Sequence, residues 1–380
     1  MSAGQRPGPD FSSPPCETRP APSAWPSHDA HAPFVRCRPA RVEPRAASGG
    51  TLAAVAAAGD VSPALDEPPV RLEPVDRAEI AIVMDNFVDI LLAGSEGVTR
   101  YRPGDLGDRR QLVAEHGFSA LVTVETDGRR SSVLYDAGLT PDGLARNLDV
   151  LDIAVRDLRA IVISHGHIDH HGGLEGLFAR HGRSRLPLVI HPEAWLDRRV
   201  VFPGGGELRL PPPSRPDLEA EGVEVVEERA HTLLLDDTLL VSGQVERVTE
   251  FEQGFPVHQA LRDGEWTPDP LIHDDQNIVV NVHGKGLVIV SGCSHAGAVN
   301  VLRHAQRLTG EARIAGFVGG CHLTGGLFEP IIEPTVDAFV AAGVGRVLPA
   351  HCSGWRAVHL MARAMPDAFV QPAVGTVVHF

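Results

Sequence analysis

The feature that most constrains this chain is a short apolar strand, Ala160-Ile161-Val162-Ile163, running straight into Ser164-His165-Gly166-His167-Ile168-Asp169-His170-His171. Extended backbone sends residues i and i+2 to the same side, so His165 and His167 can present two imidazoles to one ion. Asp169 and His170 follow as the chain turns through Gly172-Gly173 toward a helix, and this pair can serve a second ion beside the first. Imidazole suits zinc, iron and similar borderline ions, and carboxylate is a natural further ligand. An exposed histidine run does not account for the segment, which is internal, carries Asp and Gly at set places and follows a strand. The expected cofactor is one or two divalent metal ions, zinc first, with manganese or iron as alternatives.

The pattern around this motif is that of an α/β sandwich. Strand-like runs are Glu79 to Asp85, Ser119 to Glu125, Ser131 to Tyr135, Leu186 to Ile190, Thr232 to Val241, Ile278 to Val282, Leu287 to Val290, Ile314 to Val318 and Gly345 to Leu348. Helical patterns cover Pro141 to Leu151, Leu174 to Arg180, Ala296 to Leu308, Ile332 to Ala342 and Trp355 to Met365. Residues 76–380 read as one domain. Residues 1–75 read as a low-complexity extension: 10 of the 31 prolines fall in the first 50 residues, and such a segment buries too little apolar surface to offset its chain entropy. Within it, His28-Asp29-Ala30-His31 reads as a chance cluster. Thr51 to Ala58 is too short and weakly apolar to span a membrane; the cytoplasm is the default location, with a decayed export signal as the alternative.

A formal net charge of −15 gives no electrostatic reason to bind nucleic acid or an anionic membrane. The expected partner is a small-molecule substrate, and the oligomeric state stays open. The five cysteines are widely spaced and odd in number, which argues against a disulfide framework. Cys293, Cys321 and Cys352 each lie near or beside a histidine in sequence. Each reads first as a small buried residue in a turn and second as a thiol beside a metal site.

His165-x-His167-x-Asp169-His170 resembles the signature of the metallo-β-lactamase superfamily. The resemblance implies an αββα sandwich with one or two ions between its sheets, and it makes Asp136, in Leu134-Tyr135-Asp136-Ala137-Gly138, the aspartate that orients metal ligands from behind. A narrower resemblance rests on Asp85-Asn86-Phe87-Val88-Asp89, Ala114-Glu115-His116-Gly117-Phe118-Ser119, Asp274-Asp275-Gln276, Ser291-Gly292-Cys293-Ser294-His295-Ala296-Gly297, Gly319-Gly320-Cys321-His322-Leu323 and His351-Cys352-Ser353-Gly354. Together these are similar to the branch of metal-dependent hydrolases of the β-lactamase superfamily II, which includes the dihydropterin-6-yl-methyl-(ribofuranosyl)aminobenzene 5′-phosphate synthases.

The superfamily places a histidine before a hairpin and a bridging aspartate after it. Here the hairpin is Asn277 to Val290, His273 precedes it, and Gly292-Cys293-Ser294-His295 stands where the aspartate is expected. The expected assignment is His165, His167 and His295 for one ion and Asp169, His170 and His351 for the other. Asp169 also orients the nucleophile or takes its proton. His322, in a glycine-rich turn where backbone can approach a ligand closely, is a candidate general acid or substrate contact. Asp85, His116 and His191 are weaker candidates for the substrate pocket. Arg198, Arg199 and Arg247 are candidates to help hold an anion. Gly204-Gly205-Gly206 and Pro211-Pro212-Pro213 flank a stretch that could cover the site.

Three functions fit this site. The first is a metallohydrolase that activates water against an ester, lactone or phosphoester. The second is a transferase like the dihydropterin synthase. The third is a non-catalytic, metal-dependent ligand-binding module.

Overall fold

The hairpin over Ile278–Val282 and Gly286–Ser291 shows how alternation builds the interior. Ile278, Val280, Val282, Val288 and Val290 enter one apolar cluster, while Val279, Leu287 and Ile289 enter another on the opposite face. Strands buried on both faces need the near-continuous apolar runs seen in this sequence. The computed structural model of the chain describes residues 68–107, 109–182 and 185–380.

One sheet has eight strands in the order β2 (Val98–Arg100), β18 (Thr376–His379), β1 (Arg77–Met84), β3 (Ser119–Thr126), β4 (Arg129–Tyr135), β5 (Leu158–Val162), β6 (Pro187–Ile190) and β9 (Glu224–Glu227). A second has six, in the order β10 (Thr232–Leu234), β11 (Leu239–Val241), β14 (Ile278–Val282), β15 (Gly286–Ser291), β16 (Ile314–Gly320) and β17 (Val347–Ala350). Their facing sides share one core that includes Ile80, Ile82, Val122, Val133, Val280, Val290 and Val318. Helices α1 (Pro141–Val150), α3 (Leu174–His181) and α4 (Arg215–Ala220) cover the outside of the first sheet. Helices α5 (Ala298–Thr309), α6 (Ile332–Ala341) and α7 (Trp355–Ala364) cover the outside of the second. The architecture is the expected αββα sandwich.

The parallel runs position the site. β4, β5, β6 and β9 are mutually parallel, as are β15, β16 and β17. Asp136, His165 and His191 follow the carboxyl ends of the first set, and Cys293, His322 and His351 those of the second. Side chains from both sheets therefore gather at one edge, where open α/β sheets bind ligands.

Several expectations change. A third, four-stranded sheet, β13 (Glu265–Pro268), β12 (His258–Arg262), β7 (Arg198–Val201) and β8 (Glu207–Leu210), occupies the stretch read as a covering loop. Gly204 to Gly206 form its exposed β7–β8 turn. Thr232 to Val241 is two strands, because Leu235, Asp236 and Asp237 adopt positive φ and reverse the chain. Packing begins upstream of residue 76: the Val70 amide donates to the Leu308 carbonyl at 2.6 Å, and Leu72 and Val75 are buried. The expectations for His28 to His31, for Thr51 to Ala58 and for the rest of residues 1–67 fall outside the described residues. Among the described residues, no helix is long and apolar enough to cross a membrane.

Candidate metal centre

The motif is held by its backbone before its side chains do anything. The Ser164 amide donates to Asp136 Oδ1 at 2.7 Å, and the Gly166 amide donates to Asp274 Oδ2 at 2.7 Å. Gln276 clamps the same segment, its amide donating to the Ser164 carbonyl and its side chain to the Ile163 carbonyl. Gly166 has no room for a side chain, since a Cβ there would strike the Ala194 carbonyl. α2 (Ile168–His171) then turns Asp169 and His170 toward the same edge. Asp136, Ser294, His322 and His351 all adopt positive φ, between 46° and 60°. Non-glycine residues rarely take this conformation, and its clustering at one sheet edge marks a place where packing imposes backbone strain for position.

Two donor sets result. His165, His167 and His295 offer ring nitrogens within 4.8 Å of one another, and all three residues are buried. His295 Nε2 lies 3.2 Å from His167 Nδ1. On the other side His351 Nε2 is 3.2 Å and His170 Nε2 3.7 Å from Asp169 Oδ2. Cys293 sits between the sets, with Sγ 3.2 Å from His170 Nε2. The structure thus brings together His165, His167, Asp169, His170, His295 and His351. His322 joins Cys293 and His295 as a further donor cluster.

Electrostatics match this arrangement. Burial, followed by neighbouring imidazoles, pushes His165, His167 and His295 well below the usual histidine range, so these rings stay neutral with a lone pair to offer. Burial would also lower His170, but the carboxylates of Asp136, whose Oδ2 is 2.7 Å from Nδ1, and of Asp169 outweigh it and hold it at about 9. Burial would raise Asp169, but His170 and His351 overcome it and hold the carboxylate low. The two carboxylates favour a cation at His170, and a metal ion would take the place of its proton. His165 Nε2 is buried with no hydrogen-bond partner, a costly state that a metal ion relieves. The donor set fits one or two divalent ions.

The weaker candidates separate. His116 is at the rim, its ring 5.0 Å from that of His351 and its Nε2 3.6 Å from Asp169 Oδ2. Asp85 is not a pocket wall: it is buried, and its Oδ1 accepts from the His351 amide at 2.8 Å, so it supports a ligand from behind. His191 is buried too, and its Nδ1 accepts from the Glu193 amide, capping the turn after β6. Among the described residues His273 joins no donor cluster, and it pairs with Gln244. Nor is any of the three arginines free for an anion. Arg198 is fully buried against Asp269 and Asp274, Arg199 engages Glu207 and Gln259, and Arg247 donates to four carbonyls, among them those of His295 and Ala296.

Sequence reasoning missed His258. Its Nε2 is 2.9 Å from His167 Nε2, and its Nδ1 is 3.0 Å from the Asp269 carbonyl. A single histidine in an alternating strand carries no motif. Asp274 stood in a recognised segment, but its role as a backbone clamp depends on Arg198 and Gly166, both far away in sequence.

Beside the site lies a cavity of about 330 Å³ whose lining includes His295, His322, Phe251, Phe328, Leu327 and Ile331. No lysine or arginine lines it among the described residues.

Comparison with known proteins gives a consistent picture. Residues 114–299 match the family model described as the metallo-β-lactamase superfamily. The chain is 27% identical over 274 residues to the 7,8-dihydropterin-6-methyl-4-(β-D-ribofuranosyl)-aminobenzene-5′-phosphate synthase of Methanocaldococcus jannaschii, covering 70% of this chain and 90% of that one. It is 29% identical over 270 residues to an uncharacterized protein of the same organism, covering 71% of this chain and 95% of the relative. A solved structure of a metal-dependent hydrolase of the β-lactamase superfamily superposes with a TM-score of 0.60 at 26% identity, covering 79% of this chain and 98% of the other.

Proposed function

We propose that this chain, which belongs to the metallo-β-lactamase superfamily, is a metal-dependent hydrolase of a small ester or lactone carrying an aromatic or aliphatic group. The observation that supports this most is the pairing of two donor sets with an adjoining cavity walled by Phe251, Phe328, Leu327 and Ile331 and free of lysine and arginine among the described residues. A polyanionic substrate would meet no protein cation there.

His165, His167 and His295 would hold one ion, and Asp169, His170 and His351 the other. Bound ions supply Lewis-acid polarisation of the substrate oxygen. The remaining work belongs to the protein. Asp169, kept ionised by His170 and His351, would accept a hydrogen bond from the attacking water and orient it. Of the two cavity-lining histidines, His295 belongs to the donor set, which leaves His322 to hand a proton to the departing oxygen. The apolar walls would exclude bulk water and seat the non-reacting part of the substrate.

A second reading, a transferase acting on a dihydropterin, is favoured by the likeness to the synthase over 90% of that relative's length. Zinc-loaded and manganese-loaded protein should be offered aryl esters, lactones and phosphodiesters, and separately a dihydropterin diphosphate with the ribofuranosyl-aminobenzene phosphate. Hydrolysis of an ester or lactone, lost in His165→Ala, is the expected result. Turnover of the pterin pair alone would overturn the hydrolase reading.

A further inference from the structure

We infer that Cys293 and Cys352 form an oxidation site, a dithiol that a hydroperoxide closes into a disulfide beside the donor sets. Among the described residues, Cys293, Cys321 and Cys352 are free and buried. The sulfurs of Cys293 and Cys352 lie, with a ring nitrogen of His351, within 4.8 Å of one another. The Cys352 thiol donates to the Cys293 carbonyl at 3.6 Å. A disulfide needs its sulfurs about 2.0 Å apart, a gap that rotation about the two Cα–Cβ bonds can close.

The two cysteines follow strands that do not pair. β16 stands between β15 and β17, and neighbouring strands are about 4.8 Å apart, so thiols on β15 and β17 themselves would be too distant to join. Beyond the strand ends, the turns converge over Gly320. A Cβ at Gly320 would lie 2.6 Å from Cys352 Sγ and 3.1 Å from Cys293 Cα; glycine leaves the space between the cysteines open. Both turns are tied to this point. Ser294 Oγ donates to the Gly320 carbonyl at 2.6 Å, and the Cys321 amide donates to Ser353 Oγ at 3.1 Å. Cys321 provides the contrast. It lies in the apolar cluster behind the second sheet, as a packing cysteine does, whereas Cys293 and Cys352 belong to none of the apolar clusters.

Cys293 clusters with His295 and His322, and both histidines line the cavity beside the site. A small hydroperoxide entering there meets Cys293 first. It oxidises that thiol to a sulfenic acid and leaves as an alcohol, or as water in the case of hydrogen peroxide. The Cys352 sulfur then attacks the Cys293 sulfur, forming the S–S bond and expelling the oxygen as water. The two electrons lost by the thiols reduce the O–O bond. The Cys293 sulfur lies 3.2 Å from His170 Nε2, and Cys352 directly follows His351. Closing the bridge therefore disturbs His170 and His351 together and weakens their hold on a metal. The disulfide itself does not depend on the hydrolase reading; its effect on metal rests on the two donor sets.

The test treats the zinc-loaded full chain with hydrogen peroxide, followed by peptide mapping under non-reducing conditions and metal analysis. The expected result is a peptide pair joined through Cys293 and Cys352, lighter than the separate peptides by two hydrogens, together with a loss of bound zinc. Dithiothreitol and fresh zinc should reverse both. In Cys352→Ser, Cys293 should stop at a sulfenic acid that dimedone traps, and Cys321→Ser should behave as the wild type. Circular dichroism checks that each protein is folded, and the wild-type map decides if Cys352→Ser does not fold. No link between Cys293 and Cys352 in the folded wild type, or a link through Cys321 instead, would overturn the site. The link with zinc content unchanged would overturn its effect on the centre. No zinc bound before oxidation would overturn the two-ion reading and leave the disulfide, read by mass, standing.

Discussion

His258 Nε2 lies 2.9 Å from His167 Nε2, so a residue of the third sheet sets which nitrogen of a motif histidine is free. His258 Nδ1 donates to Asp269, whose carbonyl is at 3.0 Å and whose Oδ2 is at 3.4 Å, which leaves Nε2 as an acceptor. His167 then donates from Nε2, and its Nδ1 lone pair faces His295. Partners behind a ligand of this kind are worth about 10–100-fold in metal affinity. His258→Phe should weaken zinc binding by about that factor in a chelator competition, and His258→Gln should recover part of it. Equal affinities in wild type and His258→Phe would remove the orienting role.

Arg198 is the anchor of the third sheet. Its guanidinium bridges Asp269 and Asp274 with no solvent exposure, and Asp274 in turn holds the Gly166 amide. Removing one partner of a buried ion pair strands the other charge and costs about 3–5 kcal/mol. Arg198→Ala should lose about that much stability in urea unfolding. Arg198→Lys should not restore it, because a single ammonium cannot reproduce the fork that meets both carboxylates.

Gly292 is required by space rather than by a positive φ. A Cβ there would lie 2.8 Å from Asp136 Oδ2 and closer still to Ser164 Oγ. Overpacking of this kind costs about 1–3 kcal/mol. Gly292→Ala should lower stability by about that amount and also reduce metal content, because the displaced groups are those that orient His165 and His170. A variant that is less stable yet binds metal as before would show that this contact does not transmit to the ligands.

His304 in α5 should produce a measurable acid instability. Burial, aided by Arg307, lowers its pKa from 6.5 to about 4. The unfolded chain therefore binds a proton below about 6.5 while the folded chain resists until about 4, so stability is intact above that window and falls as pH drops through it. The loss from this group should be about 2 kcal/mol between about pH 7.5 and about pH 5. Urea unfolding of His304→Gln should show a shallower pH slope than the wild type; an unchanged slope would place the acid sensitivity elsewhere.

The sequence by itself determined the parts of this protein that depend on local spacing. The i, i+2 histidines at a strand end, the Asp-His pair that follows, and the apolar runs of the central strands each project side chains by backbone geometry alone. The α/β class and the candidate donors His165, His167, Asp169 and His170 followed from these, whereas the αββα arrangement and His351 came from the resemblance to the superfamily. Tertiary structure decided what lies far apart in the chain. His258 reaches His167 across 91 residues, and Arg198 reaches Asp274 across 76. Cys293 meets His170 across 123 residues because the hairpin and the motif strand belong to different sheets that end at the same edge. The pairing of strands and the stacking of sheets bring such residues together, and neither leaves a periodic trace around a lone histidine, arginine or cysteine. Whether Asp85 and His191 faced a pocket or a backbone amide was likewise settled by what packed against them, a non-local outcome of burial.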